Sequence, residues 1–143
     1  GYAYEAALSI RDVAEYVERG ADLARYYNFD DIIVASISKV TKNMNIDLTM
    51  KDHGLMKLIG GRFVHVIPNK VPRVIGKAGS MVDMIKNHTN CRITVGQNGR
   101  IWIKGNNSKE ENLAAMAILK IEKESHIDGL TDKIKNFLES NSK

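Results

Sequence analysis

The sequence predicts a protein of the α+β class, and three observations support that prediction. Hydrophobic residues make up 43% of the 143 residues and charged residues 27%, which is ordinary for a globular chain. Glycines at positions 54, 60 and 61 divide it into a first segment, residues 1–60, and a second, residues 61–143. The second segment shows strand, helix, helix, strand, strand, helix and one extra helix, an order typical of α+β units.

In the first segment the pattern predicts three strands and one helix. The strands are the runs of alternating or β-branched residues at positions 2–8, 32–40 and 45–50. Ser9 can cap a helix that ends near Gly20, because Asp12 follows three residues later in a variant of the capping box. A helical turn over residues 22–27 and a reverse turn over residues 42–44 are also expected.

The second segment has clearer boundaries. Its strands are expected at residues 62–67, 91–95 and 100–104, and its helices over 70–75, from 80 onward, over 108–124 and over 130–138. Pro72 suits the first turn of the first helix, Ser80 caps the second, and Ser108 with Glu111 forms a capping box for the third. The stretch Gly96-Gln97-Asn98-Gly99 predicts a tight hairpin turn.

The net charge is +4, and its placement is more informative than its size. Residues 62–104 hold eight Lys and Arg residues and one acid, Asp83, whereas both flanking segments are slightly acidic. A basic middle between acidic flanks indicates one site for a polyanion.

Several classes of protein are disfavoured. No apolar run is long enough for a membrane-spanning helix, and the N-terminus lacks the pattern of a signal peptide. The single Cys91 excludes an internal disulfide framework and a multi-cysteine zinc site, and favours a reducing, cytoplasmic compartment. No metal-ligand spacing and no catalytic triad or carboxylate pair is found, so we predict no catalytic residue, metal or cofactor. Because the sequence opens with Gly1-Tyr2-Ala3 rather than Met, a fragment is expected.

The most informative stretch is Val74-Ile75-Gly76-Lys77-Ala78-Gly79-Ser80-Met81. Two glycines three apart are common, but these two join short predicted helices, enclose Lys77 and lie in the basic region. Glycines at 76 and 79 let the backbone approach a sugar-phosphate chain. Amides at the start of the Ser80 helix would donate to phosphate oxygens, and Lys77 adds charge without demanding one geometry. The stretch therefore predicts binding of a sugar-phosphate backbone.

The loop and the order of strands and helices around it are similar to those of a type I KH domain. The loop of such a domain clamps four nucleotides of a single strand. By that likeness the bases lie in a groove beside the strand 91–95. Its walls are then expected to be aliphatic: Val74, Ile75, Val82, Ile85 and Ile93. A plain corner between helices is the alternative. A Walker A loop fails because Val71 stands where a glycine is needed, and a dinucleotide-binding loop would follow a strand directly.

Strand alternation predicts a second basic surface. Ile101 and Ile103 point to one face of their strand, while Arg100, Trp102 and Lys104 point to the other; Arg92 of the neighbouring strand joins the basic face. Trp102 either stacks on a base or packs against the N-terminal segment or a partner subunit. Packing is favoured, because a lone tryptophan on a sheet face usually buries its area.

Most of the chain resembles the RNA-binding cap subunit of the archaeal exosome, of the kind with an S-one-type OB barrel followed by a KH domain. The resemblance is carried by residues 46–55, Gly60-Gly61-Arg62, residues 70–81 and residues 95–103, and Gly96-Gln97-Asn98-Gly99 matches the family's Gly-x-Asn-Gly turn. It implies a truncated OB-type barrel segment in residues 1–60, without the family's N-terminal domain and first two strands. It implies a type I KH domain with a C-terminal helical extension in residues 61–143.

In that family the subunit forms a trimer on a six-membered phosphorolytic ring and recruits RNA 3′ ends without catalysing their degradation. The resemblance therefore implies a non-catalytic, single-stranded-RNA-binding cap subunit whose partners are RNA and the hexameric ring. The family's zinc-ribbon cap is disfavoured by the single cysteine. A KH and OB factor in transcription or translation, a polynucleotide phosphorylase fragment and an assembly scaffold are the alternatives.

The residues expected to contact RNA come from the loop and from the basic strands. They are Arg62, Arg73, Gly76, Lys77, Ala78, Gly79, Ser80, Arg92, Ile93 and Arg100.

Overall fold

The computed structural model describes residues 4–18 and 20–141. The chain divides into two compact units, an N-terminal unit, Gly1–Ile59, and a C-terminal unit, Gly60–Lys143. Helices and antiparallel strands are both present, so the predicted α+β class is confirmed. Among the described residues, no helix is long and apolar enough to cross a membrane.

The N-terminal unit contains short strands in two separate sheets. They are β1 (Ala6–Leu8), β2 (Ile32–Ile33), β3 (Ser36–Val40), β4 (Ile46–Thr49) and β5 (Lys57–Leu58). One sheet has the order β1-β4-β3, with β1 parallel and β3 antiparallel to β4. The other pairs β2 with β5. A short 3-10 helix, Leu23–Arg25, lies within residues 22–27, where a helical turn was predicted. The Asp22 side chain caps it.

The prediction of a helix between Ser9 and Gly20 is wrong for the described residues of this segment. Residues 10–15 form turns and bends. The Ser9 hydroxyl accepts from the Arg11 amide at 3.3 Å, a local bond that competes with a helix. The Met50 amide donates to the Asp12 carbonyl at 2.6 Å, and Val13 is buried. A tertiary contact therefore holds this segment in an irregular conformation.

The predicted strand over residues 32–40 is interrupted. The Val34 amide donates to the Met56 carbonyl at 2.8 Å, so the chain changes partners between β2 and β3. The partner strand β5 was not predicted, because two residues are too few to show a period. Part of the strand expected over residues 2–8 lies outside the described residues.

The acidic pair of residues 30 and 31 lies beside β2. Lys57 Nζ lies 2.5 Å from Asp31 Oδ2, and the Asn28 amide donates to the same oxygen at 2.6 Å. These two donors hold the pKa of the Asp31 carboxyl below its ordinary value, with Lys57 contributing most. Asp31 thus fastens its loop to β5.

The C-terminal unit has the predicted order of elements. They are β6 (Arg62–His65), α1 (Val71–Ile75), α2 (Ser80–Thr89), β7 (Arg92–Val95), β8 (Arg100–Lys104), α3 (Ser108–Lys123) and α4 (Leu130–Asn141). Short 3-10 helices, Pro68–Lys70 and Lys77–Gly79, precede α1 and α2. The antiparallel sheet has the order β6-β8-β7, which leaves β7 at an edge.

One face of this sheet carries the helices. Ile101 and Ile103 are fully buried in a core that also contains Ile118, Ile134 and Leu138 of the two long helices. The alternation predicted for β8 is therefore confirmed for its apolar positions. Buried alanines on α3, among them Ala114 and Ala117, allow that helix to lie close to its neighbours.

Two helix caps differ from the prediction. Gly79, with a φ of 83°, occupies the N-cap position of α2, and Ser80 is the first helical residue. Asn107 rather than Ser108 caps α3, because its side chain accepts from the Glu110 amide at 2.9 Å. Glu111 accepts instead from the Gly105 amide at 3.0 Å.

Cys91 is buried immediately before β7, and its chemistry provides a test of that burial. Desolvation raises the pKa of the Cys91 thiol, so the reactive thiolate forms only at higher pH than for an ordinary thiol. We expect iodoacetamide to alkylate the native chain roughly tenfold or more slowly than the denatured chain at pH 8. Mass spectrometry of quenched samples measures both rates, and equal rates would show that Cys91 is accessible.

Candidate nucleic-acid interface

Gly76 ends α1 with a backbone that only glycine adopts readily. Its φ is 76° and its ψ 175°. A Cβ placed here would lie 2.7 Å from both the amide nitrogen and the Cβ of Met81. Gly76 is therefore required for the turn between the helices, whatever the loop binds.

Two further residues of the loop have left-handed backbone. Ala78 has a φ of 51° and Gly79 a φ of 83°. A Cβ at Gly79 would meet only Asp83 Oδ2, at an ordinary contact distance of 3.5 Å. Lys77 and Ala78 are exposed, so the loop projects into solvent and is not part of the interior.

The free amides lie earlier in the loop than the sequence suggested. The Ser80 amide donates to the Lys77 carbonyl, and the Gly79 amide donates to the Gly76 carbonyl at 3.3 Å. The amides of Lys77 and Ala78 have no acceptor within residues 4–18 and 20–141. These two N–H groups, rather than that of Ser80, are available to an anion.

The charges around the loop are mostly positive. Arg73 and Lys77 are exposed, and Ser80 is exposed beside them in sequence. Asp83 is the exception, and Lys86 Nζ lies 3.3 Å from its Oδ1. This ion pair is exposed, so it reduces but does not remove the negative charge that Asp83 places near Gly79.

Most of the aliphatic residues expected to form groove walls are core residues instead. Val74 and Ile85 are fully buried, and Val82 and Ile93 are each 7% exposed. Only Ile75 keeps part of its side chain outside the core. The prediction of a groove lined by these side chains is therefore wrong for Val74 and Ile85, because apolar character alone does not separate a groove wall from a core.

The three strand arginines do not form one cluster. Arg62 lies opposite Ile103 on the helix side of the sheet, and its guanidinium donates to Asn112 of α3. Arg92 and Arg100 are exposed on the opposite face, which we call the outer face. Arg62 thus acts within the fold, and the other two face solvent.

Trp102 lies in the middle of the outer face but is only 5% exposed. Its Nε1 donates to the Gly60 carbonyl at 2.7 Å. A Cβ at Gly61 would lie 2.9 Å from the same nitrogen. The burial of Trp102 excludes stacking on a base, and its packing against the N-terminal segment or a partner subunit stays a prediction.

The turn Gly96-Gln97-Asn98-Gly99 is part of the structural frame that holds the loop. The Val66 amide donates to the Gly99 carbonyl at 2.9 Å, and the Gly96 amide donates to the Arg100 carbonyl at 2.9 Å. Asn98 Oδ1 accepts from the Arg100 amide at 3.1 Å. Val66 stands two residues before Pro68, so the turn positions the chain that enters α1.

Sequence reasoning missed two attachments of that entering chain to α3 and the turn after it. The Ile67 amide donates to Glu122 Oε1 at 2.7 Å, and Lys70 Nζ donates to the buried Ser125 hydroxyl at 2.6 Å. Both join residues far apart in sequence, so no local pattern indicates them.

Comparisons with known proteins identify similar sequences and a similar fold. The KH domain family matches residues 61–109. The exosome complex component Rrp4 of Thermococcus kodakarensis is 45% identical across 96% of this chain, and Rrp4 of Pyrococcus abyssi is 48% identical across the same share. A crystal structure assigned to an exosome complex RNA-binding protein matches with a TM-score of 0.81 at 34% identity, over 97% of this chain and 81% of that one. The chain belongs to a family of exosome complex RNA-binding proteins.

Membership of this family confirms the resemblance to an exosome subunit inferred from the sequence, and the match to the KH family confirms a KH domain in the C-terminal unit. The matched residues contain the loop, β7 and the Gly-Gln-Asn-Gly turn. The chain spans about half the length of the curated relatives it matches, 55% of the Thermococcus protein and 54% of the Pyrococcus protein.

Proposed function

We propose that this chain is the single-stranded-RNA-binding part of an archaeal exosome cap subunit and is itself non-catalytic. It recruits RNA 3′ ends to a phosphorolytic exoribonuclease ring for degradation and processing. The observation that carries the proposal is the exposed loop of residues 76–79, which offers two amides without acceptors and the Lys77 ammonium to solvent. The names of the curated relatives as exosome components support the assembly.

The assembly we propose is a trimeric cap on a hexameric ring in the cytoplasm. The N-terminal unit is proposed as a truncated OB-type barrel segment, which its short strands support. The C-terminal unit is proposed as a type I KH domain with a helical extension, which its order of elements supports.

In this proposal one phosphate binds at the start of the 3-10 helix Lys77–Gly79. The amides of Lys77 and Ala78 donate to its oxygens, and the charges of Lys77 and Arg73 lie on the same short segment. Gly76 and Gly79 keep the loop free of side chains that would hold the backbone away from the RNA.

The bases are proposed to lie beside β7. Because β7 is an edge strand, one side of its backbone is open to hydrogen bonds from bases. Ile93 then contributes through its main chain, since its side chain belongs to the core. Such contacts select weakly among bases, and much of the affinity comes from phosphates.

Fluorescence anisotropy with labelled oligo(A) RNA tests this function. We expect saturable binding at ~50 mM salt that weakens severalfold at ~200 mM, because phosphate contacts release counterions. No binding at the lower salt would contradict the proposal. Incubation of the RNA with the chain and inorganic phosphate is the companion assay, and shortened RNA would indicate an enzyme instead.

A further inference from the structure

The outer face of the C-terminal sheet is organised in rows across the strands. Arg92 of β7 lies opposite Lys104 of β8 at one end. Arg100 of β8 lies opposite His65 of β6 at the other end. Residues directly opposite in an antiparallel pair share a face, so both rows lie on the outer face with Trp102 between them.

The guanidinium charges of Arg92 and Arg100 in these rows are not compensated within the sheet. Arg92 and Lys104 are like charges directly opposite each other, which destabilises a sheet, and none of the residues in β6, β7 or β8 is acidic. Arg92 and Arg100 are exposed, and neither guanidinium has a hydrogen-bond or ion-pair partner within residues 4–18 and 20–141. Arg62, by contrast, is bonded to Asn112. An external anion would compensate the charges of Arg92 and Arg100.

The middle row limits what that anion can be. Trp102 is buried and its Nε1 is bonded to Gly60, so no aromatic ring of this residue is offered to a base. The exposed groups of this face include the guanidinium donors of Arg92 and Arg100, which match phosphate oxygens in pairs. The two guanidiniums thus suit the outer face to a sugar-phosphate backbone.

We propose that the outer face is a second RNA-contacting surface, independent of base sequence, which binds phosphates of RNA that extends beyond the loop. This inference rests on the proposed function and adds the path that a longer RNA takes over the protein surface. A KH loop holds about four nucleotides. Arg92 stands on the edge strand β7, so RNA that leaves the groove across this edge meets it first.

The spacing of the two arginines supports a path along the face. Arg92 and Arg100 lie at opposite ends of the β7–β8 pair, since Lys104, the partner of Arg92, is four residues from Arg100. At about 3.3 Å per residue this separates them by roughly 13 Å along the strands. Two separate phosphates are therefore contacted, rather than one phosphate held by both.

The test compares two RNA lengths. Oligo(A) of four and of twelve nucleotides is titrated against the wild-type chain, Arg92→Gln/Arg100→Gln and the control Lys123→Gln/Lys133→Gln, which removes the same charge from exposed helical positions. We expect the arginine variant to bind the twelve-nucleotide RNA about tenfold more weakly, with a salt slope reduced by about two. Its affinity for four nucleotides stays as in the wild type, and the control binds both RNAs normally.

Three results overturn the proposal. If the arginine variant binds the longer RNA as tightly as the wild type, the outer face does not contact RNA. If its affinity falls equally for both RNA lengths, the arginines contact the RNA that is bound at the loop. Loss of binding to exosome ring subunits with RNA binding intact assigns the face to a protein partner. If the wild type binds neither RNA, the proposed function itself is wrong. If the wild type binds both RNAs and the arginine variant binds them equally well, only the second surface is wrong. Circular dichroism melts verify folding of each variant.

Discussion

Lys77→Glu is expected to weaken binding of a four-nucleotide RNA roughly tenfold or more. A hydrogen bond to a charged group contributes about 1.5–3 kcal/mol, and each 1.4 kcal/mol corresponds to a factor of ten in affinity. The new carboxylate would also repel the phosphate that the Lys77 and Ala78 amides are proposed to bind. Because Lys77 is exposed, its replacement should change the free energy of unfolding by no more than about 0.5 kcal/mol.

The matched control is Lys123→Glu, which makes the same change of charge at an exposed position of α3. Asp83→Asn provides a variant of the opposite sign, because it removes the acid beside Gly79. Anisotropy titrations at two salt concentrations should rank Asp83→Asn tightest, then the wild type and Lys123→Glu together, then Lys77→Glu. If Lys123→Glu weakens binding as much as Lys77→Glu, net charge rather than the loop determines affinity.

Gly99→Ala is expected to destabilise the C-terminal unit by roughly 2–4 kcal/mol. The φ of Gly99 is 84°, a left-handed conformation that costs other residues about 1–2 kcal/mol. A Cβ here would also overlap the Val66 carbonyl oxygen, so the backbone of the turn or of Val66 must move. That displacement breaks the bond between the Val66 amide and the Gly99 carbonyl.

Gly129→Ala separates the two causes. Gly129 has a φ of 70°, but a Cβ there would have no heavy atom within 4 Å. Its substitution therefore reports the cost of the left-handed backbone alone. Urea denaturation should show a larger loss for Gly99→Ala than for Gly129→Ala, with similar slopes. Equal losses would mean that the turn tolerates a side chain and does not position the chain entering α1.

The sequence predicted the C-terminal unit better than the N-terminal unit, for a physical reason. β8 was placed at residues 100–104 because alternating isoleucines and a Gly-rich turn are local signals. The segment after Ser9 shows an equally good local signal for a helix. There the bond between the Met50 amide and the Asp12 carbonyl, which joins distant parts of the chain, prevents it.

The candidate site was predictable in position but not in detail. The two glycines and Lys77 located the loop, since their residue types determine what a backbone bend can bind. Which amides are free depends on hydrogen bonds that the sequence does not show, such as that of Ser80 with the Lys77 carbonyl. The separation of Arg62 from Arg92 likewise depends on the register of the strands.

The left-handed conformation of Ala78 has a consequence for the kinetics of association. A glycine at this position would relax the backbone but would also let it sample many shapes in the unbound molecule. Alanine keeps fewer, so less conformational entropy is lost when a ligand arrives. The bend between the helices is preorganised, and encounter with a single strand should be limited by diffusion and orientation instead of by a slow rearrangement of the receptor.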